Sequence, residues 1–255
     1  MSSTAAAAIP TTPAAAGPRL RGWLRLLAVL VIPLAGGGLA MLAAQLLGVT
    51  GRGRSVAFYG VQLAVAAVVA QRVYGLRAVG LGRLLGLPDW AWAAALVGLR
   101  LIPWLALIPL TGWTRDLRVL LPALAYFLLF NAAAEEVLFR GLLYQAILGL
   151  GAGLIVAAAA SSVAFALFHL YNSSLLFLPV FAADGLTFCA LRVSARSLYA
   201  PIAAHAALNF TTAALLVSSR VVSDATAVAY VVLVVAVDLG FYLACTRLGR
   251  RASAT

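Results

Sequence analysis

The side chains of this sequence that could do acid or base chemistry are few, and they lie inside apolar segments. Among its 255 residues the chain has two glutamates, the adjacent Glu135 and Glu136, and two histidines, His169 and His205. A charged side chain at the middle of a membrane helix costs at least about 2.5–3.5 kcal/mol. Because every Glu and every His of the chain lies in a long apolar run, we expect them to have a function.

The run from Asn131 to Arg140 separates the two glutamates by their geometry. On a helix, Glu136 and Arg140 are four residues apart and share a face, so the carboxylate and the guanidinium can neutralise each other. Glu135 is rotated from Glu136 by about 100° and lies one residue further from Arg140. The spacing therefore predicts Glu136 as the structural partner of Arg140 and Glu135 as the free base.

Two further pairs with a four-residue spacing follow in later apolar segments. Phe165 and His169 share a helix face, so the phenyl ring can fix the imidazole. His205 and Asn209 also share a face, and two such side chains can donate hydrogen bonds to one oxygen. A developing oxyanion needs donors of this kind.

Each of these patterns also has a plainer interpretation. A Glu-x-x-x-Arg pair is usually a structural bridge, and a lone histidine in an apolar helix is often a packed residue or a proton relay. A His-x-x-x-Asn pair can simply join helices. Together, however, the three patterns include every Glu and His of the chain and come from three separate helices. One shared polar site is therefore favoured over three unrelated contacts.

The three motifs, in this order and on successive hydrophobic segments, resemble the signature of the CPBP family. That family comprises the type II CAAX prenyl endopeptidases and the bacteriocin-processing and Abi-type proteins. The resemblance covers roughly residues 119–215. It is carried by Glu135-Glu136-x-x-x-Arg140, Phe165-x-x-x-His169 and His205-x-x-x-Asn209.

The resemblance implies an intramembrane endopeptidase. Glu135 and His169 would activate a water molecule for attack on a peptide carbonyl, and His205 and Asn209 would hold the developing oxyanion. The residues that would support this site are Glu136, Arg140 and Phe165.

Members of the family are described both as metalloproteases and as glutamate-dependent enzymes without a metal. Glu135, His169 and His205 could give a divalent metal such as Zn²⁺ three ligands and leave one position open. No second carboxylate would then be free as a base, so the residues favour a water activated by Glu135. The cofactor, a divalent metal or none, stays open at this point.

Two other functions stay open as alternatives. A non-catalytic homologue with the family fold could act as an immunity or scaffold factor, but it would have no chemical need for Glu135. A proton-coupled transporter could use Glu135 and His169 as a relay, but the sequence lacks the two similar halves that such transporters often show. The sequence also has no His-Glu-x-x-His motif of a zinc protease.

The elements that must position these residues are apolar helices. Hydrophobic residues make up 64% of the sequence and charged residues 10%, whereas a soluble domain has roughly 25% charged residues. Such a chain cannot cover a water-facing surface, so the composition predicts an all-α, polytopic membrane helical bundle of about eight transmembrane helices. The candidate spans are approximately 26–49, 55–73, 90–110, 119–148, 152–170, 174–191, 199–218 and 225–246.

We expect a disordered tail at 1–18 and a single transmembrane domain at 19–251, with the CAAX-protease-like core at 119–215. All 18 basic residues are Arg, which is typical of a GC-rich bacterial genome and favours a bacterial plasma membrane. With both termini in the cytoplasm, eleven Arg lie on the cytoplasmic side and five outside, as the positive-inside rule favours. Loop anchoring thus explains the net charge of +11. The expected partners are the lipid bilayer and a membrane-associated peptide or protein, and no nucleic acid.

Three charged residues in apolar runs lie outside the motifs: Arg100, Asp184 and Asp238. Asp184 could pair with Arg100 or approach the site, and Asp238 could make a structural contact. Residues 74–88 carry arginines among Leu and Gly, and they could form an interfacial amphipathic helix.

Overall fold

The computed structural model describes residues 19–218 and 223–252, and within these ranges the chain is mostly helical. The predicted all-α membrane bundle is confirmed, whereas the predicted tail at 1–18 lies outside the described residues. The helices are α1 (Arg19–Leu46), α2 (Arg52–Val73), α3 (Leu76–Val79), α4 (Leu87–Leu107), α5 (Leu117–Gly149), α6 (Leu154–Phe168), α7 (Leu178–Ala195), α8 (Tyr199–Phe210) and α9 (Asp224–Ala252).

Seven helical segments of the described chain are long and apolar enough to cross a membrane. They correspond to seven of the eight predicted spans. The exception is the span predicted at 199–218, where α8 continues as a π-helical turn (Thr211–Leu215) and then becomes a strand. This helix is therefore shorter than predicted, although the count stays close to eight.

Large apolar side chains are exposed on the outside of the bundle, as expected for a surface that faces lipid. Leu39, Leu46 and Ile155 are 68%, 80% and 70% exposed, whereas Leu138 and Leu142 of α5 are fully buried. Each helix satisfies its own backbone N–H and C=O groups, which is the condition for crossing a bilayer. The interior of the bundle is thus organised around α5.

The helix α5 is longer than a bilayer requires and contains two irregular stretches. Its 33 residues extend about 50 Å at 1.5 Å per residue, compared with a hydrocarbon core of roughly 30 Å. π-helical turns occur at Tyr126–Ala132 and Val137–Leu143, on either side of the segment Ala133–Glu136. π-helical turns inside α-helices are frequent at functional sites, and here they flank both glutamates.

A short antiparallel ribbon, which the sequence did not predict, lies at one end of the bundle. β1 (Leu110–Trp113) follows α4, and β2 (Leu216–Ser218) follows α8. Trp113 pairs with Leu216, and the Thr114 N–H donates to the Leu215 carbonyl at 2.8 Å. The C-terminal ends of α4 and α8 therefore lie at the same end of the bundle, so α8 crosses in the same direction as α4.

The amphipathic helix predicted over 74–88 does not form. Only Leu76–Val79 is helical before α4 begins at Leu87. Gly75 and Gly80 flank this short helix with φ values of 79° and 95°, a region that favours glycine because it has no Cβ. The segment instead packs as a loop against the turn between α7 and α8.

Candidate active site

The predicted site residues come together from three helices. Glu135 and Glu136 lie in α5, and His169 follows the last residue of α6 in a short 3₁₀ turn (His169–Tyr171). His205 and Asn209 lie in α8. Both glutamates and His205 are almost completely buried. The structure thus brings the three motifs into one polar cluster inside the bundle.

Glu136 and Arg140 form the ion pair predicted from their spacing. Arg140 Nη1 donates to Glu136 Oε1 at 3.1 Å, and neither side chain is exposed. The guanidinium also lies over the ring of Phe165, 4.0 Å from its centroid. Arg140 is therefore held between a carboxylate and an aromatic face, an arrangement that stabilises a buried cation.

The same carboxylate oxygen binds a histidine, which the sequence did not indicate. His205 Nδ1 lies 2.8 Å from Glu136 Oε1. An ionised carboxylate only accepts hydrogen bonds, so His205 Nδ1 carries a proton. In the neutral ring Nε2 is then the unprotonated nitrogen, and this atom lies 3.7 Å from Oε2 of Glu135.

His169 is oriented in a parallel way by a backbone carbonyl. Its Nδ1 lies 2.9 Å from the Phe165 carbonyl oxygen, which can only accept, so here too Nδ1 carries the proton. The ring packs against Phe165, as predicted, and stacks on Phe181 at 4.1 Å between centroids. The unprotonated Nε2 lies 3.9 Å from Glu135 Oε2.

Glu135 is fixed through one oxygen and has the other free. Its Oε1 accepts from Asn131 Nδ2 at 2.7 Å, whereas its buried Oε2 has no hydrogen-bond partner. That free oxygen is the one that faces both histidine Nε2 atoms. The arrangement agrees with the predicted division of labour, in which Glu136 is paired and Glu135 is available as a base.

Asn131 is a site residue that the sequence analysis did not assign. It donates to Glu135, and its Oδ1 accepts from Asn209 Nδ2 at 2.8 Å. Its spacing of four residues from Glu135 places both on one helix face, which is the signal that could have identified it. Asn209 therefore uses one of its two N–H donors on Asn131 and retains one.

A cavity of about 350 Å³ adjoins the histidines and Asn209. Aromatic and aliphatic side chains, including Phe177 and Phe181, form about half of its lining, and polar side chains form the other half. A pocket in which polar groups converge between apolar walls is the usual form of a binding site. Glu135 does not line the cavity, but the two histidines that its Oε2 faces do.

The three charged residues outside the motifs form a second cluster, two members of which line this cavity. Arg100 Nη2 lies 2.7 Å from Asp184 Oδ1, as predicted for this pair, and Arg100 Nε lies 3.3 Å from Asp238 Oδ1. Arg100 and Asp184 line the cavity, whereas Asp238 is completely buried.

The predicted option of a metal site is not supported by the positions of the side chains. Among the residues that the structure describes, no group of three or more His, Cys, Asp or Glu side chains could hold a metal ion. Glu135, His169 and His205 have donor atoms that suit Zn²⁺, and Glu135 Oε2 lies 3.9 and 3.7 Å from the two Nε2 atoms. The unpartnered Glu135 oxygen also suits the activation of a water, so the choice between the two stays a prediction.

The comparisons with known proteins give one match. The family model described as type II CAAX prenyl endopeptidase Rce1-like matches residues 117–211. No curated protein and no solved structure matches the chain. The matched segment begins with the first residue of α5 and ends just after Asn209, so it contains all three motifs. This match covers 95 of the 255 residues, and it supports the CPBP-family resemblance predicted from the motifs in the segment from α5 to α8.

Proposed function

We propose that this protein is an intramembrane endopeptidase that hydrolyses a peptide bond with a water molecule activated by Glu135. One observation carries the proposal: the free Oε2 of Glu135 faces the unprotonated Nε2 atoms of His169 and His205 at 3.9 and 3.7 Å. These distances are too long for direct hydrogen bonds. Polar groups at such a separation are commonly bridged by a water. A water donates at most two hydrogen bonds, so it would donate to Glu135 Oε2 and to one of the two histidines.

The hydrolysis requires one proton to move twice. Glu135 takes a proton from the water, and the resulting hydroxide attacks the carbonyl carbon of the scissile peptide. The carbonyl oxygen becomes an oxyanion, which the remaining N–H of Asn209 stabilises. The C–N bond then breaks, and the proton on Glu135 passes to the leaving nitrogen. The products are a carboxylic acid and an amine, so the reaction consumes one water.

His205 would have its predicted role as an oxyanion donor when its ring carries a second proton, taken up from bulk water before the attack and kept throughout the reaction. In the neutral ring its Nε2 is an acceptor, because Nδ1 donates to Glu136. Glu136 would stabilise the imidazolium that forms when Nε2 is protonated. His205 would then donate beside Asn209, and His169 would orient the water.

The asparagines hold the base in position for this chemistry. Asn131 binds the Oε1 of Glu135, and Asn209 binds Asn131. Rotation of the Glu135 carboxylate would break this chain of hydrogen bonds, so Oε2 stays directed at the histidines. Such preorganisation is worth several orders of magnitude in rate.

The substrate would be a membrane-associated peptide or protein. The cavity is buried among helices that cross the membrane, and its walls are rich in aromatic side chains. A segment of substrate that enters it would contact aromatic side chains and would also find polar groups that can bind the scissile peptide.

Cleavage of a fluorogenic peptide library by the purified protein in detergent tests the proposal. Wild type is compared with Glu135→Gln, which keeps the shape of the side chain but removes the base. Asp224→Asn, an exposed carboxylate at the start of α9, is the control. We expect cleavage by wild type and the control and none by Glu135→Gln. Equal cleavage by Glu135→Gln would overturn the assignment, as would a folded wild type that binds peptides without cutting them.

Metal content is measured on the same preparations by elemental analysis. Cleavage by protein without bound metal, unchanged by a chelator, is the expected result for the water mechanism. Stoichiometric metal that disappears in His169→Ala and His205→Ala would contradict it.

A further inference from the structure

The two ends of the helix bundle differ in how they are closed. One end of the bundle is formed by the connections 74–86, 150–153 and 196–198, and we call it the plugged end. The opposite end is formed by the connections 47–51, 108–116 and 169–177 together with the β ribbon, and we call it the cavity end. Helices that begin at the plugged end, such as α6 and α8, therefore finish at the cavity end.

The plugged end is sealed by the loop that was predicted to be an amphipathic helix. The Leu198 N–H donates to the Gly80 carbonyl and the Ser197 hydroxyl to the Arg83 carbonyl, each at 2.8 Å. Arg83 in turn donates to the Ala195 carbonyl. Val79 and Leu198 are completely buried beneath these contacts. The loop thus covers the α7–α8 turn and closes this end of the bundle.

The cavity extends from the middle of the bundle towards the cavity end. Asn209 is ten residues after the start of α8 and six before Leu215, which places it about 15 Å from the plugged end and about 9 Å from the other. Ser173, Phe177 and Thr212 also line the cavity, and they come from the connection between α6 and α7 and from the π-helical turn after α8. The outermost lining residues therefore lie at the end opposite the plug.

The arginines divide unequally between these two ends. Of the arginines that the structure describes, four lie at the cavity end: Arg52, Arg54, Arg115 and Arg118. Eleven lie at the plugged end: Arg19, Arg21, Arg25, Arg72, Arg77, Arg83, Arg192, Arg196, Arg247, Arg250 and Arg251. Short loops rich in Arg stay in the cytoplasm during insertion. The bias therefore assigns the plugged end to the cytoplasm.

From these observations we infer that the cavity opens on the extracytoplasmic side of the membrane. If the proposed function holds, the substrate is a peptide segment presented at the outer leaflet or already translocated across the membrane, and a cytoplasmic segment cannot reach the site. The β ribbon fits this end, since Trp113 is 61% exposed and Arg115 lies over its ring. Exposed Trp side chains typically lie at the headgroup level.

Cysteine labelling tests the orientation without any need for activity. The native Cys189 and Cys245 are both buried, so they give little background with a membrane-impermeant maleimide. Ser174→Cys reports on the cavity end and Ala78→Cys on the plugged end. Both positions are exposed, and neither change alters the charge of the chain.

We expect Ser174→Cys to be labelled in intact right-side-out vesicles and protected in sealed inverted vesicles. Ala78→Cys is expected to show the reverse pattern, and both are labelled after detergent is added. The opposite pattern at both positions would overturn the inference. Labelling of both positions from one side would also overturn it, because the two ends would then not lie on opposite faces.

The substrate part is tested with a charged, impermeant peptide that the detergent-solubilised wild type cuts. We expect right-side-out vesicles to cut this peptide and inverted vesicles to leave it intact. Cleavage by inverted vesicles alone would overturn the inference even where the labelling agrees. If no peptide is cut in detergent, the proposed function fails, while the labelling still decides the orientation.

Discussion

His205 Nδ1 and Arg140 Nη1 bind the same oxygen of Glu136, at 2.8 and 3.1 Å. One carboxylate oxygen therefore joins α5 to α8 and sets the tautomer of the histidine. Glu136 is completely buried. Its oxygen therefore binds the Arg140 guanidinium and the His205 N–H in a part of the protein that water does not reach. In the proposed function, the paired glutamate of the motif would act on the reaction through His205.

Replacing Glu136 with Gln tests this relationship. Gln can still accept from His205, but it leaves the Arg140 guanidinium buried without a counter-charge. Removing one partner of a buried ion pair costs about 3–5 kcal/mol, so we expect a large loss of stability in unfolding measured in detergent. A transition midpoint equal to that of wild type would contradict the buried ion pair.

The position of Asn131 predicts a loss of activity without a comparable loss of stability. Asn131→Ala removes the hydrogen bonds that fix Glu135 and Asn209. Loss of an orienting partner of this kind typically costs about 10–100-fold in activity at metal sites, and we expect a similar fall in kcat. Ser161→Ala is the control, since it also removes one buried hydrogen bond, to the Phe139 carbonyl.

Ser161→Ala should lose about 1 kcal/mol of stability, the usual net value of one hydrogen bond, and Asn131→Ala about 2 kcal/mol, because it removes two. Only Asn131→Ala should lose activity, with KM little changed because Asn131 does not line the cavity. An equal fall in activity for the two variants would mean that Asn131 has only a structural role.

Contacts within one helix could be predicted from the sequence, because the helical repeat fixes them. The Glu136–Arg140 and Phe165–His169 pairs are of this type, and both form as predicted. The Glu136–His205 bond joins residues 69 positions apart, so it depends on how α5 and α8 pack. No periodicity in either segment contains that information.

The fold differs from the predictions mainly where the sequence gives no periodic pattern of apolar and polar residues. The π-helical turns of α5 lie in runs of Leu, Phe and Val, whose hydrophobicity does not distinguish an α-helix from a π-helix. The loop 74–86 carries the composition of an amphipathic helix, but its backbone is bound by the α7–α8 turn. Tertiary contacts of this kind override local preference.

The second buried cluster predicts that replacing Arg100 lowers the stability of the protein far more than replacing the exposed Arg118. Arg100→Ala leaves the completely buried Asp238 and its neighbour Asp184 without their cation, and breaking such a group costs about 3–5 kcal/mol. Arg118→Ala breaks the Arg118–Asp116 pair, whose side chains are 94% and 51% exposed. We expect little or no change in stability there, because exposed pairs are solvated and screened.

Unfolding of the two variants in the same detergent gives the comparison. Equal midpoints would mean that Arg100 is not needed to compensate Asp184 and Asp238. Because Arg100 and Asp184 line the cavity, activity is measured only at temperatures where both variants stay folded.

Gly185 has no side chain, and this lets α7 pack closely against α6 beside His169. A Cβ atom added there would lie 2.6 Å from Ser162 Cβ and 2.7 Å from Ser162 Cα. Small residues let membrane helices approach closely, and overpacking such a contact costs about 1–3 kcal/mol. Gly185→Ala should therefore lower stability. It should also lower activity, because α6 ends at His169 and α7 carries Phe181, on which that imidazole stacks.

Gly240→Ala in α9 is the matched control, because an added Cβ there meets nothing within 4 Å. Ala is favoured over Gly inside a helix by up to about 1 kcal/mol, so this variant should be as stable as wild type or slightly more stable. If Gly185→Ala behaves in the same way, the two helices can separate without cost. The position of His169 would then not depend on this contact.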